Sequence, residues 1–279
     1  MTMFEAFLLG LVQGLTEFLP VSSSGHLAIL QTYMGLEEGA LAFTVMLHAG
    51  SLIAVFLAYR KSVIAIVKAF FGMISDLFKE KSLMIRKDKY RLYVVFLFVA
   101  SIPAGIVGIL LGDGIEKIFG SVIVVALMLL VTGVLLTIGE RMGKNNIKPI
   151  EKLGFKNALI VGLFQAFALI PGISRSGTTM VGGLFRGLKK EDAVEFSFLL
   201  SLPAVLGATL LKLKDIAGLS SSGVSTGTLA VGFFTAVVAG YLAIRLLVLV
   251  VKKDRLKYFA YYCWAVGAAV LIKEIFFKA

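Results

Sequence analysis

One polar motif occurs twice in this chain of 279 residues, at 10–26 and again at 162–178. The two copies lie 152 positions apart and share two glycines, a glutamine and two serines at matching places. These are Gly10, Gln13, Ser22, Ser24 and Gly25 in the first copy, and Gly162, Gln165, Ser174, Ser176 and Gly177 in the second. Duplicated polar motifs in an apolar chain are typical of folds built from two structural repeats. We therefore expect one composite site made from both halves.

Long uncharged runs indicate that this fold lies in a membrane. The chain is 58% hydrophobic with a mean hydropathy of +0.94, too apolar for an ordinary soluble domain. Several runs free of Asp, Glu, Lys and Arg are long enough to cross a bilayer. We predict a single all-α membrane domain over 1–279 with six transmembrane helices. The predicted spans are 41–59, 92–111, 121–139, 194–211, 226–250 and 258–276.

The two motif segments do not read as ordinary spans. Each has a short apolar run, a proline, a Ser/Gly-rich turn and a second short apolar piece. That length is typical of a re-entrant helical hairpin, and we predict hairpins over 1–35 and 156–188. Irregular backbone at membrane depth needs protein or a water-filled cavity to satisfy its polar groups. Both hairpins are therefore expected to line a cavity.

The distribution of positive charge favours hairpins over full spans. With both hairpins returning to their own side, 21 of the 28 Lys and Arg residues fall on one face. Each half then has one hairpin and three spans. Because three is an odd number, the two halves are inverted repeats, over 1–139 and 153–279, and the first hairpin enters from outside. The net charge of +11 is then mostly cytoplasmic excess that attracts membrane lipids, and no nucleic acid partner is predicted. Residues 62–80 are predicted to form a helix lying on the cytoplasmic surface, with a plain connector as the alternative.

The Ser-x-Ser-Gly turns predict an anion site. Each can cap a helix N-terminus and direct backbone N–H groups into the cavity. Arg175 adds a planar charged group suited to phosphate oxygens, although a purely structural pair with Glu17 is the alternative. The candidate substrate-binding residues are Ser22, Ser24, Gly25, Ser174, Ser176, Gly177 and Thr178.

Acidic and nucleophilic residues cluster in the first motif. Glu17 and Gln13 lie one helical turn apart, a spacing able to hold Mg²⁺ or Ca²⁺. Glu17 has alternative roles as a general base, as an orienter of His26, or as an acceptor for backbone donors. Either His26 or Ser23, activated by His26, is a candidate nucleophile. His48, Glu195 and Gln165 are candidates for support around the site, with ordinary structural or interfacial roles as their alternatives.

The strings at 13–26 and 171–178 resemble the two signature motifs of the undecaprenyl-diphosphate phosphatase family, the bacitracin-resistance membrane proteins of bacteria. The span pattern and the stretch 196–203 are also similar, so the resemblance covers essentially the whole chain. It implies hydrolysis of a C55 isoprenyl diphosphate to the monophosphate at the outer side of the cell (inner) membrane. It further implies a divalent cation, recycling of the lipid carrier for peptidoglycan, and bacitracin acting by sequestering the substrate. A homodimer is also expected.

The same resemblance assigns roles residue by residue. The family's acidic motif corresponds to Gln13 and Glu17, and its serine and histidine to Ser23 and His26. Its phosphate-binding arginine and serines correspond to Ser174, Arg175 and Ser176. Many members carry Glu where this chain has Gln13, which removes one negative charge from the expected cation site. The nucleophile stays open between Ser23, His26 and water. A lipid-phosphate flippase or secondary transporter is the alternative function, since inverted repeats with broken helices also build transporters.

Overall fold

The computed structural model describes residues 1–36, 40–211 and 225–277, which are helical apart from turns, short 3-10 segments and one isolated bridge between Lys148 and Leu188. The helices of the first half are α1 (Met3–Phe18), α2 (Ser23–Met34), α3 (Ala40–Ala58), α4 (Arg60–Glu80), α5 (Lys89–Phe119) and α6 (Val122–Met142). Those of the second half are α7 (Phe155–Phe167), α8 (Arg175–Phe185), α9 (Lys190–Leu211), α10 (Thr226–Lys252) and α11 (Lys257–Phe276). The parts of the predicted repeats at 37–39, 212–224 and 278–279 lie outside the described residues.

A helix occupies each of the six predicted spans. By length and composition, four described helices are able to cross a membrane, namely α5, α6, α10 and α11. A fifth span results if α3 and α4 are counted together, although the chain bends by 93° between them. The protein is therefore an all-helical, multi-pass membrane protein, and the full set of six spans stays a prediction.

Each motif forms a helix, a break and a second helix. In the first half, α1 begins with a capping box of Thr2 and Glu5, ends at Phe18 and is followed after residues 19–22 by α2. In the second half, α7 ends at Phe167 and α8 starts after residues 168–174. The interruptions fall at the prolines and Ser/Gly turns of the motifs, where backbone geometry and side-chain caps compete with a continuous helix.

The repeated glycines allow helices from opposite halves to approach closely. Gly10 of α1 faces the carbonyl oxygen of Gly232 in α10, and Gly162 of α7 faces that of Ala100 in α5. A Cβ at either position would overlap backbone atoms, which cannot move aside as a flexible side chain can. Each motif helix therefore packs on a long helix of the other half. Helices α6 and α11 also contact each other extensively across the two halves.

The two breaks meet inside the protein. Thr132 of α6 donates from Oγ1 to the carbonyl oxygen of Gly172 at 3.0 Å and accepts from the backbone N–H of Ser174 at 3.1 Å. From the first break, the carbonyl oxygen of Leu19 accepts from Ser176 Oγ at 3.4 Å. These bonds satisfy buried backbone groups that the interrupted helices leave unpaired. They also bring the starts of α2 and α8 into one place.

Helix α4 follows α3 nearly at a right angle and exposes many of its apolar side chains, including Phe70, Phe71 and Phe78. Arg91 at the start of α5 holds it by donating to Asp76 at 2.6 Å. This bond helps to keep the pKa of the Asp76 carboxyl below its usual value. The predicted helix at 62–80 is therefore present, and its location on the membrane surface stays a prediction.

Candidate active site

Both Ser-x-Ser-Gly turns cap a helix in the same way. Ser22 Oγ accepts from the backbone N–H of Gly25 at 3.2 Å, and Ser174 Oγ accepts from that of Gly177 at 3.2 Å. In each turn the two serine hydroxyls also approach each other, at 3.4 Å between Ser22 and Ser24 and at 3.3 Å between Ser174 and Ser176. The predicted capping is confirmed at both motifs. Two helix N-termini, whose dipoles favour anions, therefore begin beside each other.

The turns differ at one backbone position. Ser22 has φ 69°, a conformation that residues other than glycine rarely adopt, whereas Ser174 has φ −71°. Ser22 is 2% exposed, and its carbonyl oxygen accepts from Nδ1 of His26 at 2.8 Å. Surrounding contacts therefore hold a strained residue in place, a situation found frequently at functional sites.

Glu17 lies at the centre of the cluster and is 5% exposed. One carboxylate oxygen accepts from Nη2 of Arg175, which begins α8. The other accepts from Ser23 Oγ at 2.6 Å and from Gln13 Nε2 at 3.0 Å. Nε2 of His48 lies 3.7 Å from that second oxygen. A single buried carboxylate thus collects groups from α1, α2, α3 and α8, drawn from both halves of the chain.

Two buried polar atoms around this carboxylate have no hydrogen-bond partner among the described residues. They are Gln13 Oε1 and Arg175 Nη1, and Thr178 Oγ1, one turn after Arg175 on α8, is also unpartnered. An unsatisfied buried polar atom costs about 1–3 kcal/mol, so native proteins rarely leave several within one cluster unless something else binds there. The free oxygen and the free guanidinium N–H are complementary to a cation and to an anion respectively. Both amide atoms of Gln165, the counterpart of Gln13, are also unpartnered, which leaves its supporting role a prediction.

The two histidines each have a defined tautomer. A carbonyl oxygen only accepts, so the 2.8 Å contact of His26 Nδ1 with Ser22 places a proton on Nδ1. In the neutral ring, Nε2 then accepts from the hydroxyl of Tyr262 at 2.9 Å. His48 likewise donates from Nδ1 to the carbonyl oxygen of Thr44, which leaves Nε2 directed toward Glu17. Tyr262 was not among the candidates found from sequence.

Two expectations about partners require correction. Ser23 donates to Glu17 and not to His26, whose ring nitrogens are occupied by Ser22 and Tyr262. Glu195 lies outside the cluster and accepts from Ser62 at the start of α4. It was a candidate for support because it lies at the start of a predicted span, with an interfacial role as its alternative. The bend after α3 instead places Ser62 against Glu195.

Ser51 is a further residue that sequence reasoning missed. Its hydroxyl accepts from Gln13 Nε2 at 3.2 Å and donates to the carbonyl oxygen of Leu47. This contact orients the Gln13 amide so that Oε1 is the atom left without a partner. The sequence itself shows only a serine one turn after His48 on the same helical face. Its burial is seen in the structure alone.

The residues present fit a divalent cation only in part. Among the described residues, no group of three His, Cys, Asp or Glu side chains lies close enough to hold a metal. Gln13 Oε1 is an unpartnered oxygen one helical turn from Glu17. Because Mg²⁺ and Ca²⁺ take six or more oxygen ligands, the others would come from a bound phosphate and water. The described side chains alone therefore supply only part of the ligand set that such a cation takes.

The chain is similar in sequence to known proteins over nearly its whole length. A family model described as bacitracin resistance protein BacA matches residues 6–269. The chain is 45% identical to an undecaprenyl-diphosphatase of Alkaliphilus metalliredigens, with 98% of each chain covered. It is 43% identical to proteins of the same name from Methanobrevibacter smithii, with 99% of each chain covered, and from Methanosphaera stadtmanae, with 97% of this chain and 98% of the relative covered.

Proposed function

Because this chain belongs to the family described as bacitracin resistance protein BacA, we propose that it hydrolyses undecaprenyl diphosphate to undecaprenyl phosphate and inorganic phosphate. The activity recycles the lipid carrier used in peptidoglycan synthesis and confers bacitracin resistance, since bacitracin sequesters the substrate. The observation that carries the catalytic assignment is the 2.6 Å hydrogen bond from Ser23 Oγ to Glu17, beside Arg175. A nucleophile and a fixed cation thereby contact the two oxygens of the same base.

The proposed chemistry begins with Ser23. Its Oγ attacks the terminal phosphorus while its proton passes to the Glu17 carboxylate, to which it is already hydrogen-bonded. The bond from that phosphorus to the bridging oxygen breaks, and undecaprenyl phosphate leaves with the electron pair. Water then attacks the phosphorus of the phosphoserine, and the bond from that phosphorus to Ser23 Oγ breaks. Glu17 returns its proton to the serine oxygen, and both hydrogens of the water leave with inorganic phosphate. Every proton taken up by the enzyme is thus given back.

Arg175 has a separate role before that step. In the free protein it pairs with Glu17, and the carboxylate is then a weak base because the pair stabilises its charge. The unpartnered Nη1 donates to an incoming phosphate, together with the capped N-termini of α2 and α8. When the guanidinium binds phosphate, its ion pair with Glu17 weakens, and the Glu17 carboxylate becomes a stronger base. Substrate binding therefore prepares the base.

Ser23 is favoured over His26 as nucleophile by its partners. The Nε2 lone pair of His26 is directed at the Tyr262 hydroxyl, so attack by this nitrogen would first break a hydrogen bond. Trapping a phosphorylated enzyme distinguishes the candidates. We expect an acid-stable phosphoserine adduct; an acid-labile adduct would assign the step to His26, and no adduct would favour direct attack by water.

A divalent cation, Mg²⁺ or Ca²⁺, is proposed as cofactor. Gln13 Oε1 and Glu17 would hold it next to the diphosphate, where it supplies neutralisation of the phosphate charge. With an amide in place of a second carboxylate, the protein alone binds the cation weakly. Binding is strengthened by the phosphate oxygens of the substrate.

The proposed membrane topology is six spans plus two re-entrant hairpins, with the active site facing the outer side of the bacterial cell membrane. The packing of α1 on α10 and of α7 on α5 supports an inverted repeat, because equivalent motif helices use equivalent partners. The excess of Lys and Arg supports placing the α3–α4 bend on the cytoplasmic face. In this arrangement the isoprenyl tail stays among lipids while the diphosphate enters the cluster. The protein is further proposed to form a homodimer.

The deciding experiment is release of phosphate from C55 or C15 isoprenyl diphosphate by purified protein in detergent, with and without Mg²⁺ or Ca²⁺. We expect release that depends on the cation and is lost in Arg175→Ala. The matched control is Arg255→Ala, which removes a basic residue after α10 and should retain activity. Absence of release with any cation would contradict the proposal and move the assignment to lipid transport, which the relatives' names do not favour.

A further inference from the structure

A second polar cavity, of about 550 Å³, opens where α3 bends into α4. It is lined from α3, α4, α9 and α10, and its polar residues include Arg60, Lys61, Glu195 and Arg245. The active site described above does not use any of these residues. Within the described chain, these residues bring charges from three separate segments to one opening. The opening lies at the α3–α4 bend, which the excess of Lys and Arg supports placing on the cytoplasmic face.

This cavity is distinct from the Glu17 cluster. Tyr59 directly follows α3 and lies eight residues beyond Ser51, which corresponds to about 12 Å at 1.5 Å per residue. The space between them is closed by packed aromatic rings, since Phe198 contacts both Tyr59, at 6.0 Å, and Phe18, at 5.4 Å. Phe18 and Phe198 are both almost fully buried. A ligand in the cavity would therefore not reach the catalytic residues.

The charges in the cavity are unbalanced. Among its described lining residues, Glu195 is the single carboxylate, and one of its oxygens already accepts from Ser62 Oγ at 2.6 Å. Arg60, Lys61 and Arg245 make no ion pair or side-chain hydrogen bond among the described residues. The net formal charge is thus +2.

The position of Arg245 indicates a ligand at the membrane surface. It lies on an exposed face of α10, seven residues before that helix ends at Lys252, with Tyr241 one turn earlier. An arginine on a membrane helix is costly unless its head reaches the interface or finds an anion. Tyrosine and arginine together are typical of the headgroup region. An exposed guanidinium here is therefore available to a membrane-borne anion.

From this geometry we infer that the cavity binds a phosphate monoester presented at the cytoplasmic membrane surface. A phosphate monoester carries between −1.5 and −2 charges near neutral pH, roughly the charge that balances the three cations and Glu195. The Arg60 and Arg245 guanidinium groups supply forked donors for its oxygens, and the Tyr241 hydroxyl lies beside them. The ligand is a lipid headgroup of this type or free phosphate. The site goes beyond the proposed hydrolysis and does not depend on it.

The test measures binding to the full-length protein in detergent by native mass spectrometry. Three probes are used. Dioctanoyl phosphatidic acid is a phosphate monoester, dioctanoyl phosphatidylglycerol is a phosphate diester, and the third probe is inorganic phosphate. Every comparison is made in the Arg175→Gln background, which weakens binding at the catalytic cluster. We expect phosphatidic acid to bind more tightly than phosphatidylglycerol. Adding Arg245→Gln should weaken phosphatidic acid binding by at least about tenfold, the typical loss for one charge-assisted hydrogen bond.

Two further variants keep the result interpretable. Arg245→Lys keeps the charge but not the forked donor, so it should bind phosphatidic acid more tightly than Arg245→Gln and less tightly than Arg245 itself. This graded order would show that the loss in Arg245→Gln is not caused by misfolding. Lys253→Gln removes a basic residue of the same face outside the cavity and should have no effect. Binding of inorganic phosphate with the same dependence on Arg245, but not of phosphatidic acid, would identify free phosphate as the ligand. Equal binding of phosphatidic acid and phosphatidylglycerol, or unchanged binding in Arg245→Gln, would overturn the inference.

Discussion

The hydroxyl of Tyr262 lies 2.9 Å from Nε2 of His26, although the two residues are 236 positions apart in the chain. Their rings are also stacked, with centroids 5.6 Å apart and an interplanar angle of 10°. Because Nδ1 of His26 donates to Ser22, the tyrosine hydroxyl is the donor of this bond. Tyr262 therefore fixes both the ring orientation and the tautomer of the histidine at the start of α2.

Replacing Tyr262 with Phe should lower kcat by about fivefold while leaving KM nearly unchanged, since one neutral hydrogen bond contributes about 1 kcal/mol. The physical reason is that His26, which shares the first turn of α2 with the proposed nucleophile Ser23, loses the donor that fixes its ring, while the ring contact is kept. Steady-state phosphate release measures the effect. Tyr261→Phe, a neighbouring change on an exposed side chain, is the control. An equal loss in both variants would show that Tyr262 acts only through helix packing.

Ser23→Ala should reduce kcat by about a thousandfold or more, because it removes the proposed nucleophile. The matched control is Ser101→Ala in α5, which removes a hydroxyl that lies outside the site and donates to the backbone carbonyl of Leu97. Phosphate release and phosphoenzyme trapping measure the outcome. If Ser23→Ala kept more than a tenth of the activity, His26 or water would be the better candidate.

Substitutions of Glu17 and Arg175 should have strongly coupled effects on the stability of the fold, because the two side chains form an ion pair. Breaking one partner of a buried pair typically costs about 3–5 kcal/mol, because the other charge is left uncompensated. Each of Glu17→Gln and Arg175→Gln should lower the melting temperature in detergent, and the double variant should recover part of the loss. Glu80→Gln at the exposed end of α4 is the neutral control. Additive losses in the double variant would contradict a direct pair.

Gly10→Ala should lower the melting temperature by several degrees. The added Cβ overlaps the carbonyl oxygen of Gly232, so α1 must shift away from α10. Gly105→Ala in α5 is the control, because no atom lies within 4 Å of its added Cβ. Thermal unfolding followed by size-exclusion chromatography measures both. Equal tolerance of the two substitutions would mean that the close approach of α1 and α10 is not required.

Gln13→Glu should increase the apparent affinity for Mg²⁺ or Ca²⁺. It restores a second carboxylate beside Glu17, and divalent cations bind more tightly as the ligand charge rises. The measurement is the cation concentration that gives half-maximal phosphate release. Gln31→Glu provides a control, since Gln31 bonds Thr44 away from the cluster. An unchanged cation requirement would place the metal elsewhere.

Local features of the site were readable from the residues. The caps by Ser22 and Ser174 depend on contacts within three residues, and Gln13 meets Glu17 within one helical turn. Arg175 as a partner of Glu17 was also foreseen as one of two alternatives, because a charge at membrane depth requires an anion. Ser51 and Tyr262 were missed, since a single hydroxyl in an apolar helix resembles many others.

The sequence alone therefore determined the class of the protein, the duplicated motif, the helices and the identity of most reactive side chains. Each of these follows from hydropathy, spacing or hydrogen bonding over a few residues. Tertiary structure decided which groups are partners: Ser23 meets Glu17, His26 meets Tyr262, and Glu195 belongs to a separate cavity. Such pairings depend on how distant helices pack, and packing is set by close contacts such as those of Gly10 and Gly162, which no local pattern specifies.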